Sequence, residues 1–307
     1  MVKFLLFADY HYFPGEFKSF GLEGLRIMQA HAEEAGCDMI IHAGDFCHGT
    51  PDAAELIEAY NNFHIPSYHC LGNHDMDKCS IEEILKAYRM AKDYYHFDKG
   101  GYRFIVINTS YYRVGNEYFA YSKASHAQHL DTRETLPPEQ LEWSKTTIDE
   151  SPYPCILISH ASLERVINGV QNYKEVLKII DDANRKKKHS VLMSINGHHH
   201  VDYIRLLNNV VYFDMNSTSM DWLGSMNPPN NAYPEEEYKG VRMLHRTIYT
   251  NDPLYAIITL DGTTITIEGR ESTMYRGVTR ESLGIVEYDE ARRLIKPSVS
   301  SAKITLG

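Results

Sequence analysis

Carboxylate, amide and imidazole side chains recur in this chain at spacings that suit metal chemistry. They stand in DYH (Asp9, His11), GD with a histidine three residues on (Asp45, His48), GNHD (Asn73, His74, Asp75), SH (His160) and GHHH (His198, His199, His200). Such ligands suit borderline or hard divalent ions such as Mn²⁺, Fe²⁺ or Zn²⁺. No cysteine belongs to the set, which argues against a structural zinc knot. Gathered without a partner, these groups would be costly to bury, and a metal centre compensates all of them at once. If the chain runs extended after Gly197, alternation turns His198 and His200 to one side and His199 to the other. The same alternation pairs Asp9 with His11 and turns Tyr10 away, while Gly197 admits a close backbone approach or a positive φ.

Each of these residues follows a run that reads as a β-strand. KFLLFAD, DMIIHAGD and PSYHCLGN alternate with helical patterns at 20–35, 51–63 and 80–90, the βαβ rhythm of a parallel sheet. Thr50 with Pro51 reads as an N-cap followed by a first-turn proline, and Ser80 with Glu83 as a capping box. The rhythm resumes with strand RFIVIN, an irregular tyrosine-rich segment from 110 to 135, a helix near 138–149, strand CILISH, a helix near 172–185 and strand SVLMSIN. In open α/β sheets, ligands bind at the carboxyl ends of strands, which is where the polar residues fall. After residue 200, YIRLLNNVVYFDM and LYAIITLDGTTITIEG read as hairpins turning at Asn208-Asn209 and Asp261-Gly262. The stretch LGSMNPPNNAYPEEEY between them is long enough for a pocket rim.

The 307 residues, 43% of them hydrophobic, suffice for a substantial core. A formal charge of −10 repels phosphate backbones and makes nucleic acid an unfavoured partner, whereas a single phosphate can bind where a metal supplies local positive charge. The five cysteines contain no Cys-x-x-Cys pair and read as reduced thiols of a cytoplasmic protein. The opening MVKFLLFADYHY reads as a first strand rather than a signal peptide, and no apolar run approaches the roughly 20 residues that span a bilayer. The basic run RKKKH at 185–189 reads as the solvated end of a helix.

The ordered set DYH, GD, GNHD, SH and GHHH, from residue 9 to residue 200, resembles the calcineurin-like metallophosphoesterases. Each fragment is weak alone; together and in order they are specific. The resemblance implies an α/β fold in four layers, α/β/β/α, with mixed sheets and the metal site at strand carboxyl ends. It also implies a catalytic domain over 1–270, with 271–307 as an extension packed on it. Carried onto this chain, one divalent ion is held by Asp9, His11, Asp45 and His200 and the other by Asp45, Asn73, His160 and His198, with Asp45 bridging. At the roughly 3.5–4 Å separation of two-metal sites, a bridging water becomes the nucleophile for in-line attack on a small phosphate ester. His74 is then the general acid for the leaving oxygen, a role its intrinsic pKa suits. Asp75 is expected to orient an imidazole.

The continuation GDFCHG departs from the Gly-Asp-x-Val-Asp-Arg-Gly of the family's protein phosphatases, lacking both that Asp and the phosphate-gripping Arg. His48 instead resembles the second histidine of the nuclease and cyclic-nucleotide phosphodiesterase branches, placed near His74. No tyrosine ligand adjoins Gly-Asp as in purple acid phosphatases, which argues against a redox-active iron site. The leading expectation is a hydrolase of a small phosphodiester or phosphomonoester, cyclic nucleotides included. The alternatives are a double-strand-break-type exonuclease and a catalytically silent scaffold of the same fold. Residues 110–129 and 221–239 are the expected pocket walls, with Arg113, Asn116 and Lys123 as candidates to meet substrate oxygens; His42, His69, His126 and His129 match no motif. Protonation of ligand histidines should remove activity below about pH 6.

Overall fold

Residues Phe4 to Ala8 are wholly buried, so the first strand needs cover on both faces and a place inside a sheet. A computed structural model of the chain describes residues 1–15, 17–50, 52–223, 228–241, 243–285 and 296–307. In chain order the elements are β1 (Val2–Phe7), α1 (Gly21–Glu34), β2 (Met39–Ala43), α2 (Ala54–Asn61), β3 (Ser67–Cys70), α3 (Ile81–Ala87), β4 (Tyr95–Lys99) and β5 (Tyr102–Ile107). There follow β6 (Tyr111–Val114), β7 (Glu117–Ala120), α4 (Pro138–Asp149), β8 (Cys155–Ser159), α5 (Tyr173–Lys186), β9 (Val191–Asn196), β10 (Tyr203–Leu207) and β11 (Val210–Asp214). The remainder adds β12 (Met220–Trp222), β13 (Thr247–Tyr249), β14 (Ala256–Asp261), β15 (Thr264–Gly269) and β16 (Ala302–Thr305).

Two six-stranded sheets result, ordered β16-β15-β14-β1-β2-β3 and β10-β11-β9-β8-β5-β4. Both are mixed: β1 runs parallel to β2 and antiparallel to β14, and β5 runs parallel to β8 and antiparallel to β4. Alternation along β5 and β8 shows how the layers stack. Phe104, Val106, Ile156 and Ile158 join the core between the sheets, where Phe104 meets Phe4 edge to face at 5.5 Å. Their neighbours Ile105, Ile107 and Leu157 face the other way, onto Val176 and Ile180 of α5. Leu25 and Met28 of α1 cover the first sheet, so the order of layers is α/β/β/α.

Helix boundaries follow local chemistry. Ser80 and Glu83 form the reciprocal capping box of α3, and Pro138 opens α4. For α2 the structure corrects the expected start: the helix begins at Ala54 behind Ala53, which makes no side-chain cap, and Pro51 lies outside the described residues. Asn208 and Asn209 both take positive φ, 50° and 62°, as a two-residue hairpin turn requires. The second hairpin turns one residue later than expected, because Asp261 pairs with Thr264 across Gly262. The basic run closes α5, where Lys186 pairs with Asp149 at 2.9 Å.

Among the described residues six strands lie where the sequence pattern shows none, the antiparallel pair β12 and β13 among them. β4 pairs with β5 at a sheet edge, the 110–135 segment contains the β6–β7 hairpin, and β16 from the weakly patterned tail adds an edge strand to the first sheet. No helix among the described residues is long and apolar enough to cross a membrane.

Candidate metal centre

The loops that follow β1 and β2 remain hydrogen-bonded to each other after the strands end. The Asp9 amide donates to the Gly44 carbonyl at 2.9 Å, and the His11 amide to the Asp45 carbonyl at 2.9 Å. At this edge the chain is not extended, as alternation had predicted. Asp9, His11, Asp45, His198 and His200 all take φ between 53° and 66°. Each such left-handed residue costs about 1–3 kcal/mol, held by the surrounding structure. The left-handed turns nevertheless converge the side chains that alternation would have paired. Gly197 serves by close approach: a Cβ there would meet Asp9 Oδ2 at 2.5 Å and Ala8 at 2.8 Å.

Two groups of donor atoms form. In the first, His200 Nε2 lies 3.1 Å from Asp9 Oδ1 and 3.0 Å from His11 Nε2. In the second, His160 Nε2 lies 3.0 Å from Asp45 Oδ2 and 3.2 Å from His198 Nδ1. The same Asp45 oxygen stands 3.9 Å from His11 Nε2, so it lies between the groups. The back of the ligand shell is satisfied by main chain. His160 Nδ1 donates to the Ala43 carbonyl at 3.0 Å and His200 Nδ1 to the Met220 carbonyl at 2.9 Å, which aims each Nε2 into the centre. His199 is turned to Arg165, 3.2 Å away, which in turn binds Asp214.

Asn73 is buried with its Oδ1 lacking a hydrogen-bond partner. A buried amide oxygen without a donor costs about 1–3 kcal/mol, and a cation removes that cost. This orphaned oxygen, on the residue before the His74 amide that binds Asp45, together with two carboxylates and four imidazoles that are all potential ligands, fits divalent metal.

Electrostatics agree. Burial would pull His160 down, but the Asp45 carboxylate beside it raises it to about 10. Burial would raise Asp45, and the His160 charge holds it well below the usual range instead. His11 and His198 are pushed well below their ordinary value, chiefly by burial, and so stay neutral and ready to ligate. An ion that takes His160 Nε2 must therefore displace a proton. Calorimetric titration of metal-free protein in buffers of differing ionisation heat should register at least one proton released near pH 8, with affinity climbing as pH rises toward about 10. Affinity flat over that range would show that His160 holds no proton for the ion to displace.

His74 stands at the mouth of the site, its side chain about a quarter exposed. Its backbone N–H donates to Asp45 Oδ1 at 2.7 Å, and its Nδ1 meets Asp77 Oδ2 at 2.7 Å. Burial lowers its pKa, but Asp45 and Asp77 outweigh that and carry it to about 9. His48 lies beside it, ring centroids 4.8 Å apart, and its Nδ1 meets the same Asp77 oxygen at 2.8 Å. Burial lowers His48.

Asp75 does not orient an imidazole. It accepts from the amides of Asp45, Phe46, Cys47 and Gly72 at 2.8–3.1 Å and from the Tyr88 hydroxyl at 2.6 Å. Its task is to clamp the loop that carries Asp45; burial, then the Asp45 charge, pushes it up to about 7. The residue that holds imidazoles is Asp77, which the sequence reading missed. Its signal was the three-residue spacing from His74 across a single 3₁₀ turn. His126, expected to have no part, lies with Nε2 3.9 Å from Asp77 Oδ1.

Of the expected walls, Arg113 and Asn116 lie exposed on the β6–β7 hairpin and Lys123 lies exposed beyond it. Trp222 does border the centre, with its ring 6.2 Å from His11 and 6.4 Å from His200. The rim at 224–227 lies outside the described residues.

The calcineurin-like phosphoesterase family model matches residues 2–202. A dimetal phosphatase from Danio rerio superposes with TM-score 0.60 at 14% identity, covering 89% of this chain and 98% of that one. GAP50, the anchor in the inner membrane complex of Plasmodium, superposes with TM-score 0.53 at 14% identity, covering 87% of this chain and 84% of that one. At such identity these likenesses concern the fold. No curated protein matches the chain by sequence. The family model spans both donor groups and the strands that carry them, and the chain belongs to the calcineurin-like phosphoesterase family.

Proposed function

We propose that the chain is a dinuclear, metal-dependent hydrolase of small phosphodiesters or phosphomonoesters, nucleotides and cyclic nucleotides among them. The observation that carries this is Asp45, one of whose oxygens stands between two groups of donor atoms while the other anchors the His74 backbone. Asp9, His11, Asp45 and His200 would hold one ion, and Asp45, Asn73, His160 and His198 the other. Divalent ions bound there supply Lewis-acid polarisation of the ester and acidification of an attacking water. The protein's own part is positioning. Asp75 holds the loop bearing Asp45, main-chain carbonyls aim the ligand imidazoles, and His74 donates a proton from Nε2 to the departing oxygen. Trp222 offers an aromatic surface beside the centre on which a base or sugar ring can lie. Buried free cysteines fit a cytoplasmic setting.

The scaffold reading has one observation in its favour, the likeness in fold to the GAP50 anchor. Against it, every ligand position is filled and His74 stands in place. The exonuclease reading is opposed by the net charge of −10.

Stripping the protein with chelator should abolish hydrolysis of a bis-aryl phosphate, and Mn²⁺ should restore it. Binding of two ions per chain with no turnover on mono- or diesters, whichever divalent metal is added, would favour the scaffold instead.

A further inference from the structure

Three imidazoles close on a carboxylate that belongs to neither proposed ion. Asp77 Oδ2 lies 2.8 Å from His48 Nδ1 and 2.7 Å from His74 Nδ1, and Oδ1 lies 3.9 Å from His126 Nε2. His48 carries the contact onward, because its other nitrogen, Nε2, is 3.3 Å from His11 Nδ1. That is the far side of His11 from the metal centre, since His11 Nε2 faces His200, Asp9 and Asp45. The side chains of His11, His48, Asp77 and His74 thus form one continuous chain. Two nitrogens meeting a single oxygen at 2.7–2.8 Å are hydrogen-bond donors to it rather than ligands gathered around a third ion.

Proton positions along this chain follow from the first link. A ligating nitrogen needs its lone pair, so with His11 Nε2 on a metal the His11 proton sits on Nδ1 and is donated to His48 Nε2. A neutral His48 then carries its own proton on Nδ1 and donates it to Asp77. An ionised carboxylate only accepts, so His74 also donates from Nδ1, and its Nε2 is left to face the substrate. We propose that Asp77 is a positioning residue that sets the proton positions of His48 and His74 together, coupling the loading of His11 to the presentation of His74 Nε2. Only the last link rests on the phosphoesterase reading. Asparagine at this position loses the negative charge that strengthens both hydrogen bonds, and its amide can turn a donating nitrogen toward the two imidazoles in place of the oxygen they share.

The test uses the full chain loaded with Zn²⁺, which is diamagnetic, as wild type, Asp77→Asn and Asp77→Glu. Long-range ¹H–¹⁵N correlation spectra should show His48 and His74 of the wild type protonated on Nδ1. In Asp77→Asn at least one of the two should lose its Nδ1 proton, zinc affinity should weaken by roughly 10–100-fold, and kcat should fall by about 10²–10⁴. Asp77→Glu keeps a carboxylate and should restore the Nδ1 pattern, which separates loss of the acceptor from misfolding. A wild-type spectrum with the His48 proton on Nε2 overturns the assignment. So does an Asp77→Asn protein whose proton positions and zinc affinity are unchanged. Nδ1 protonation with variant-sensitive zinc affinity but no ester turnover would uphold Asp77 while removing the phosphoesterase reading.

Discussion

Asp45→Asn should lower turnover by at least about 10³, and the purified variant should carry no more than one tightly held ion. A shared carboxylate does three things that an amide does not do together. It lends negative charge to both donor groups from the oxygen that stands 3.0 Å from His160 Nε2 and 3.9 Å from His11 Nε2. It balances the His160 imidazolium, raised to about 10, in the protein before metal arrives. It also receives the His74 backbone N–H at 2.7 Å, the one role an asparagine oxygen retains. Metal charge stabilisation of several kcal/mol is at stake, and each 1.36 kcal/mol is a factor of about ten in rate. Metal analysis alongside initial rates decides the matter: a variant holding two ions with only a tenfold loss would show that Asp45 is not shared.

The second large effect is expected at His74. His74→Ala should cut kcat by about 10²–10⁴, the range for a removed proton donor, while leaving metal content and Tm close to wild type. The separation is expected because the contact from residue 74 to Asp45 comes from its backbone amide and survives removal of the ring. The loss should be largest for alkyl esters, whose leaving oxygen needs a proton, and shrink for nitrophenyl esters, whose oxygen leaves as a stable anion. An equal loss on both would assign His74 to binding the phosphate rather than to proton donation.

What could be read from the chain in advance was the inventory of donors and the strands that bring them together. Strand runs and polar termini are local, so Asp9, Asp45, His160 and His198 announce themselves by following β1, β2, β8 and β9. The backbone that aims them was not legible. Asp and His enter the left-handed region more often than most residues but far too seldom for their type to announce it, and alternation led to the right pairs for the wrong conformational reason. The functions of Asp75 and Asp77 were not legible either, because both are carboxylates near His74. Only the fold shows that one faces the amides of the Asp45 loop and the other faces imidazoles. Edge strands escaped for a related reason: YHFDK and AKIT are half-polar and half-buried, and their pairing partners are chosen by the sheet rather than by their own pattern.

The two donor groups draw on both halves of the sandwich. Asp9 and Asp45 issue from β1 and β2 of one sheet, and His160, His198 and His200 from β8 and β9 of the other. Whatever is chelated here acts as a rivet through the open end of the two sheets, while the aromatic packing of Phe4 on Phe104 holds the interior. Binding to the folded state alone adds stability that grows with the logarithm of free ion concentration. The cell's supply of trace metal would thus govern how tightly this end stays shut as well as whether chemistry occurs there, so that starvation for the ion would be felt first as local loosening at the mouth rather than as collapse of the core between the two sheets.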